Sequence, residues 1–159
     1  MKRLTTSAAL IALRRFLLVI FLLGIAGISV ELWLMGHYED FYQQIPLALS
    51  AVSLVAIAAV LLEPGRATVN LLRVIMALFL LSGMIGAILH FQVNMEFQLE
   101  MDPSLTGVAL YRKAILAKTP PALAPGAMIQ LGLIGLAYTF RHPASRGGSV
   151  DPPEGMETQ

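Results

Sequence analysis

Cysteine is absent from this 159-residue chain, and charged residues make up only 13% of it. The lack of cysteine excludes disulfides, thiolate metal sites, iron–sulfur clusters and dithiol redox chemistry. Soluble domains usually carry about 25% charged residues, so this chain has too little polar surface to cover a globule in water. Hydrophobic residues make up 57% of the chain, and the mean hydropathy is +0.73. The composition therefore predicts an integral membrane protein whose main partner is the lipid bilayer.

Sequence patterns of the common catalytic and nucleotide-binding sites are missing as well. The chain contains no Walker A loop, no Rossmann fingerprint and no GxSxG motif. The net charge is only +1, and basic and aromatic residues are not interleaved as in nucleic-acid-binding proteins. These absences favour a protein that is not an enzyme, and they predict no nucleic-acid partner.

Four apolar stretches are long enough to cross the hydrocarbon core of a bilayer, which takes about 20 residues. The fourth is the weakest, because Pro125 and Gly126 interrupt its start. The sequence thus predicts an all-α, four-helix bundle over residues 1–141, followed by a tail at 142–159 rich in Pro, Gly and Ser that we expect to be disordered. The predicted spans are residues 16–35, 45–62, 71–91 and 122–140.

The distribution of basic residues predicts the orientation of these spans. Eight of the eleven Lys and Arg residues lie at one end of the spans, and Arg112, Lys113 and Lys118 lie at the other. The positive-inside rule then predicts a multi-pass protein of the plasma (inner) membrane with both termini in the cytoplasm. A cleaved signal peptide is the alternative for the N-terminus, but Arg14 and Arg15 come late and the apolar run continues to Met35.

The long outward connection, residues 92–121, is predicted to form a short extracytoplasmic cap. Residues 94–102, "NMEFQLEMD", alternate polar and apolar side chains, which is typical of a half-buried β-strand. A lone strand has unpaired edges, so this strand would need a partner segment. Residues 104–118 are predicted to form a short interfacial helix capped by Ser104. Its expected apolar stripe consists of Leu105, Val108, Ala109, Ile115 and Leu116.

Histidines and carboxylates gather at the outward side of the predicted bundle. His37 and His90 each lie at the outer end of a span, so we expect them to be neighbours. Together with nearby acids they form a mixed nitrogen and oxygen ligand set that suits a divalent metal ion such as Zn, Mn or Fe. A hydrated acidic rim is the alternative, since no ligand pair has diagnostic spacing. The candidate metal ligands are His37, Glu39, Asp40, His90, Glu96 and Glu100.

Polar residues inside the spans are few. Glu31 lies about one turn from the outer end of span one, where it either reaches water, pairs with Arg112 or Lys113, or serves a function. Ser82 and Gln130 are expected to hydrogen-bond within the bundle. Glycine pairs in spans one, three and four predict close helix packing within one chain rather than a dimer seam.

Three functional classes follow from these observations. The first is a non-enzymatic subunit or scaffold that binds a partner, or a second copy of itself, through the extracytoplasmic cap. The alternative is a protein that binds or transports divalent cations through the outward His and carboxylate cluster. A membrane enzyme is the third class, for which the sequence contains no catalytic constellation.

Overall fold

The computed structural model describes residues 2–117 and 123–145 of the chain. This part is all-α. It consists of α1 (Lys2–Leu34), α2 (Phe41–Leu62), α3 (Arg66–Met101), α4 (Gly107–Ile115), α5 (Leu123–Thr139) and a 3-10 turn at Pro143–Ser145.

Three of these helices are long and apolar enough to cross a membrane. They are α1, from Ala8 onward, α2 and α3, which fits the predicted membrane protein. Helix α5 falls within the fourth predicted span but has only 17 residues, or roughly 26 Å at 1.5 Å per residue. It is apolar but shorter than the other three, so three membrane-spanning candidates are shown rather than four.

A single apolar core joins α1, α2, α3 and α5. Helix α5 lies along α3, and α1 packs against α5. The rings of Phe21 and Phe79 lie 6.2 Å apart in this core, and both side chains are almost completely buried. Leu72 and Met76 of α3 are buried beside them. The predicted packing within one chain is therefore present among these four helices.

Glycines allow the close approach of α3 and α5. A Cβ atom at Gly83 would lie 2.6 Å from the Pro125 carbonyl oxygen, and one at Gly132 would lie 2.8 Å from the Met76 carbonyl oxygen. Both contacts are with backbone atoms, which cannot move aside as a flexible side chain can. In contrast, a Cβ atom at Gly27 of α1 would meet nothing within 4 Å. Close backbone approach through small residues is typical of helix packing in lipid.

The predicted strand at 94–102 is wrong, because α3 continues as a helix to Met101. The described residues contain no strand at all. Half-buried residues recur at Phe91, Asn94, Met95 and Gln98, which is a helical spacing, and this face packs against α4. Adding residues to an existing helix gains one hydrogen bond per residue, whereas a lone strand leaves its backbone groups unpaired.

The short helix predicted in the cap is present as α4, but it buries a different face. Leu110 and Ala114 are buried against α3, while Val108, Ile115 and Leu116 of the expected stripe are exposed. Thr106, rather than Ser104, occupies the N-cap position of α4. The cap is therefore a helical hairpin of α3 and α4 rather than a strand followed by a helix.

The C-terminal segment is described only in part. His142 begins a short turn, in which the Ser145 hydroxyl donates a hydrogen bond to the His142 carbonyl oxygen at 2.6 Å. This 3-10 turn packs against α3. The remainder of the tail predicted to be disordered, residues 146–159, lies outside the described residues, as does the 118–122 connection.

The two ends of the bundle differ in chemistry. At one end, the Arg14 and Arg73 side chains donate hydrogen bonds to backbone carbonyls at the C-terminus of α5. We call this the Arg end. At the opposite end, the α1–α2 turn carries His37, which faces His90 of α3. We call this the His end, and the α3–α4 hairpin projects from it.

Candidate functional site at the His end

A glycine positions His37 at the end of α1. Gly36 has φ of 66°, a left-handed conformation that suits glycine at the C′ position of a helix. The His37 N–H then donates to the Leu32 carbonyl oxygen at 2.8 Å, and the Gly36 N–H donates to the Trp33 carbonyl oxygen at 3.1 Å. These bonds turn the chain back over the end of α1, so His37 faces the bundle.

The two histidines stack on each other. The ring centroids of His37 and His90 are 5.9 Å apart, and the ring planes differ by 20°. Partial burial lowers the pKa of His37 below its usual value of 6.5, and repulsion from His90 lowers it further. A lowered pKa keeps His37 neutral at pH 7, so its ring can both donate and accept a hydrogen bond. The expectation that the order of the helices makes these two histidines neighbours is confirmed.

The acids of the predicted metal set are not gathered around this pair. Glu39, Asp40, Glu96 and Glu100 are all exposed. Across the described ranges, no group of three or more His, Asp or Glu side chains is arranged to hold a metal ion. A divalent metal ion at these residues therefore stays a prediction.

Helix α2 begins next to the His pair, four residues before its predicted start. Asp40 occupies the N-cap position of α2. The side-chain oxygen of Gln43 accepts hydrogen bonds from the backbone N–H groups of Glu39, at 3.0 Å, and Asp40, at 3.4 Å. The first turn of α2 thus holds the loop that carries Glu39 and Asp40 in place.

The α3–α4 hairpin is held by polar contacts as well as by apolar packing. The Asn94 side-chain amide donates to the Ala114 carbonyl oxygen at 3.2 Å, and the Lys113 ammonium lies 3.6 Å from the Asp102 carboxylate. Hydrogen bonds from Ser104 and the charge of Lys113 lower the pKa of Asp102. Glu31 is exposed on α1 and pairs with neither Arg112 nor Lys113, the two residues proposed as its partners.

Apolar residues line one exposed flank of this hairpin. Val93, Phe97 and Met101 follow one another at intervals of four residues, so they form one stripe along α3. Their exposed fractions are 60%, 56% and 71%. Leu99 lies on the other flank of the exposed face and is 36% exposed. Sequence reasoning missed the stripe because it placed Phe97 and Met101 on the buried side of a strand.

A cavity of about 470 Å³ opens beside the His pair. Its walls come from α1, α2, α3 and α5, and His37 and His90 lie at one end of it. Most of the lining side chains are apolar, among them Leu32, Leu49 and Leu89. Pockets of this size and character are typical of small-molecule sites. The cavity was not predicted, because it depends on how four helices diverge and no local pattern encodes that.

Neither of the two polar residues expected to hydrogen-bond inside the bundle does so in the part of the chain that the structure describes. Gln130 is exposed on α5, and its side chain makes no hydrogen bond with the residues that the structure describes. Ser82 of α3 lines the cavity, and its hydroxyl likewise has no hydrogen-bond partner within 2–117 or 123–145. Ser82 is therefore a polar residue without such a partner in a mostly apolar cavity lining.

Comparison of this chain with models of protein families, with curated proteins and with solved structures finds no match.

Proposed function

We propose that this protein is a non-enzymatic membrane subunit or scaffold that binds a partner protein, or a second copy of itself, through the α3–α4 hairpin. The exposed stripe of Val93, Phe97 and Met101 is the observation that carries the proposal. Helix α3 has 36 residues and is about 54 Å long, whereas a hydrocarbon core is about 30 Å thick. With Arg73 of the Arg end at one membrane surface, the part of α3 from there to Met101 is about 42 Å long, so roughly 12 Å of α3 extends beyond the core at the His end.

The stripe would then lie in water or at the headgroups rather than in hydrocarbon. Contiguous apolar surface in that position is typical of a protein–protein contact. Glu96 and Glu100 flank the stripe and would form part of a polar rim around it. Helix α4 adds further exposed apolar residues, Val108 and Tyr111, to the same hairpin.

Photo-crosslinking tests this function directly. A benzoyl-phenylalanine in place of Phe97, in membranes of the organism that makes the protein, should give a covalent adduct with another protein chain. An adduct with the mass of two copies would identify self-association, and any other mass would identify a different partner. The same group in place of Leu99 is the matched control and should give far less adduct.

A substitution series would measure the strength of this contact. Burial of a phenylalanine contributes about 1.5–3 kcal/mol, so Phe97→Ser should weaken association by about tenfold or more. Leu99→Ser should change it by less than about twofold. Adducts with lipid alone, or equal yields from both positions, would contradict the proposal.

The proposed orientation has four crossings, with the His end outside and both termini in the cytoplasm of a plasma (inner) membrane. Its support comes from the Arg end, where Arg14, Arg73 and the C-terminus of α5 meet. Helix α5 lies along α3 from Gly83 down to this end, so a membrane that α3 crosses would be crossed by α5 as well. A 17-residue helix reaches across with slight thinning of the bilayer.

Cysteine labelling tests the orientation cleanly, because the chain has no cysteine of its own. Tyr38→Cys and Glu100→Cys should react with a membrane-impermeant maleimide on intact cells. Glu63→Cys and Arg141→Cys should react only after permeabilisation. If Tyr38→Cys and Glu100→Cys reacted from opposite sides, the orientation would be wrong; if Arg141→Cys reacted together with Glu100→Cys, α5 would not cross.

A further inference from the structure

The cavity beside the His pair contains few polar groups, and these groups define what it can hold. Its lining includes no Asp, Glu, Lys or Arg among the described residues. A phosphate or carboxylate headgroup placed there would lack a cationic partner, and burial of an unpaired charge is costly. The polar side chains that remain in the lining are those of His37, Tyr42, Gln43, Ser82 and His90.

Two of these polar residues, Ser82 and His90, lie on the α3 wall of the cavity. Ser82 and His90 are eight residues apart on the same face of α3, which corresponds to about 12 Å along the helix. Leu78, Ile85 and Leu89 lie on this face as well, so an apolar chain could contact them. The neutral imidazole of His37, which also lines the cavity, offers both a hydrogen-bond donor and an acceptor.

We infer that this cavity binds a lipid-soluble molecule whose uncharged head, bearing a carbonyl or hydroxyl group, hydrogen-bonds to His37 and His90 while its apolar tail runs along α3 past Ser82. The two imidazoles are nearly parallel and both line the cavity, so a flat head group could lie beside them. Alkylated quinones and phenols have this chemistry, and so do neutral lipids with a free hydroxyl. The cavity shares Val93 with the hairpin stripe, but Phe97 and Met101 do not line it, so variants at Phe97 test the proposed function without altering the cavity.

Photoaffinity labelling of the full chain in nanodiscs tests the inference. The probe is an azido derivative of decyl-substituted benzoquinone, and unlabelled decyl-benzoquinone is the competitor. Labelling should saturate, should be displaced by the competitor and should map to α2 and α3 residues that line the cavity. Displacement by decanol as well would show that the site accepts any small uncharged head group with a hydroxyl or carbonyl. Displacement by the quinone alone would show that the site requires a flat ring in the head group.

A matched pair of substitutions separates the cavity from the lipid-facing surface. Leu89→Trp adds bulk inside the cavity, whereas Ile88→Trp adds the same bulk on an exposed part of α3 outside its lining. Leu89→Trp should raise the half-saturating concentration by about tenfold, and Ile88→Trp should change it by less than about twofold. His90→Phe keeps an aromatic ring but removes its hydrogen bonds, and it should weaken binding by about three- to tenfold.

Several results would overturn the inference. Labelling that spreads over lipid-facing residues, or that the competitor does not displace, would mean that the quinone only partitions into the bilayer. Displacement by phosphatidylglycerol would mean that the cavity holds ordinary charged lipid. Unchanged binding in His90→Phe, checked for correct folding by circular dichroism, would remove the role of the histidine. The mapping needs no variant, so it decides the question even if Leu89→Trp fails to fold.

Discussion

Replacing Gly83 by alanine should destabilise the bundle by about 1–3 kcal/mol, the usual cost of overpacking a tightly packed interior. The added Cβ would lie 2.6 Å from the Pro125 carbonyl oxygen and 3.0 Å from the Ile129 backbone nitrogen. Neither atom can rotate away, so α3 and α5 must separate. Helix α5 is the shortest of the four bundle helices, and its packing against α3 is the main contact that holds α5 in the bundle.

Gly27→Ala is the matched control for this substitution. Gly27 also lies inside a long apolar helix, but a Cβ there would meet no atom within 4 Å. Alanine is a better helix former than glycine by about 0.8–1.0 kcal/mol in water, so this change should be neutral or stabilising. Unfolding of both variants in the same detergent mixture, followed by circular dichroism, gives the comparison. Equal stability of the two variants would show that α3 and α5 are not in close contact.

The separation of α3 and α5 in Gly83→Ala should also change the shape of the cavity. Gly86, one turn beyond Gly83, lines the cavity opposite Pro125 of α5. Movement of α5 away from α3 would widen this wall, so Gly83→Ala should weaken binding of the quinone probe although it touches neither histidine. A change in both stability and probe binding would link the packing of α5 to the shape of the site.

The elements that local chemistry encodes could be predicted from the sequence. The long apolar runs predict the three membrane-length helices, and the Pro and Gly residues of "EPGR", residues 63–66, predict the turn that ends α2. The proximity of His37 and His90 follows from the order of the helices, since each ends a predicted span on the same side. These features depend on hydrophobicity, chain reversal and helix length, all of which act over a few residues.

The features that depend on packing could not be predicted in the same way. At 94–101 the alternating pattern is real, but it also places Asn94 and Gln98 on one helical face, and the contact with α4 makes that face the buried one. A polar residue at a helix–helix contact is unexpected from hydrophobicity alone, yet Asn94 gains a hydrogen bond to Ala114 there. The cavity and the apolar stripe likewise exist only once the helices are assembled.

Both of the proposed binding regions lie at the His end, whereas the Arg end stabilises the C-terminus of α5. Helix α5 ends at Thr139, and the carbonyls of its last turn need hydrogen-bond donors. The Arg73 guanidinium donates to the Thr139 carbonyl oxygen at 2.8 Å, and Arg14 donates to the Arg141 carbonyl oxygen at 2.8 Å. Partial burial lowers the pKa of His142, and the charges of the two arginines lower it further.

Removing these donors should destabilise α5 in particular. Arg73→Gln should cost about 1–2 kcal/mol, because a cation at a helix C-terminus is stabilised both by the hydrogen bond and by the helix dipole. Arg14→Gln should cost about 0.5–1 kcal/mol, since its bonds are more exposed to water. Arg15→Gln removes the same charge from an exposed residue that makes no such bond among the described residues, so it should leave stability unchanged.

The comparison with Arg15 separates two roles that an arginine at this end can have. If Arg14 and Arg73 stabilised the protein only through their charge, the Arg15 variant would destabilise it as much as the Arg14 variant does. If they cap α5, the loss should be confined to Arg14 and Arg73, and backbone hydrogen exchange should rise first in the last turn of α5. Hydrogen exchange of the intact chain in nanodiscs measures this, and an unchanged last turn in Arg73→Gln would contradict the capping role. Helix α5 also forms part of the cavity wall. Capping of its C-terminus at the Arg end would then help to hold its N-terminal residues in place beside the cavity at the His end.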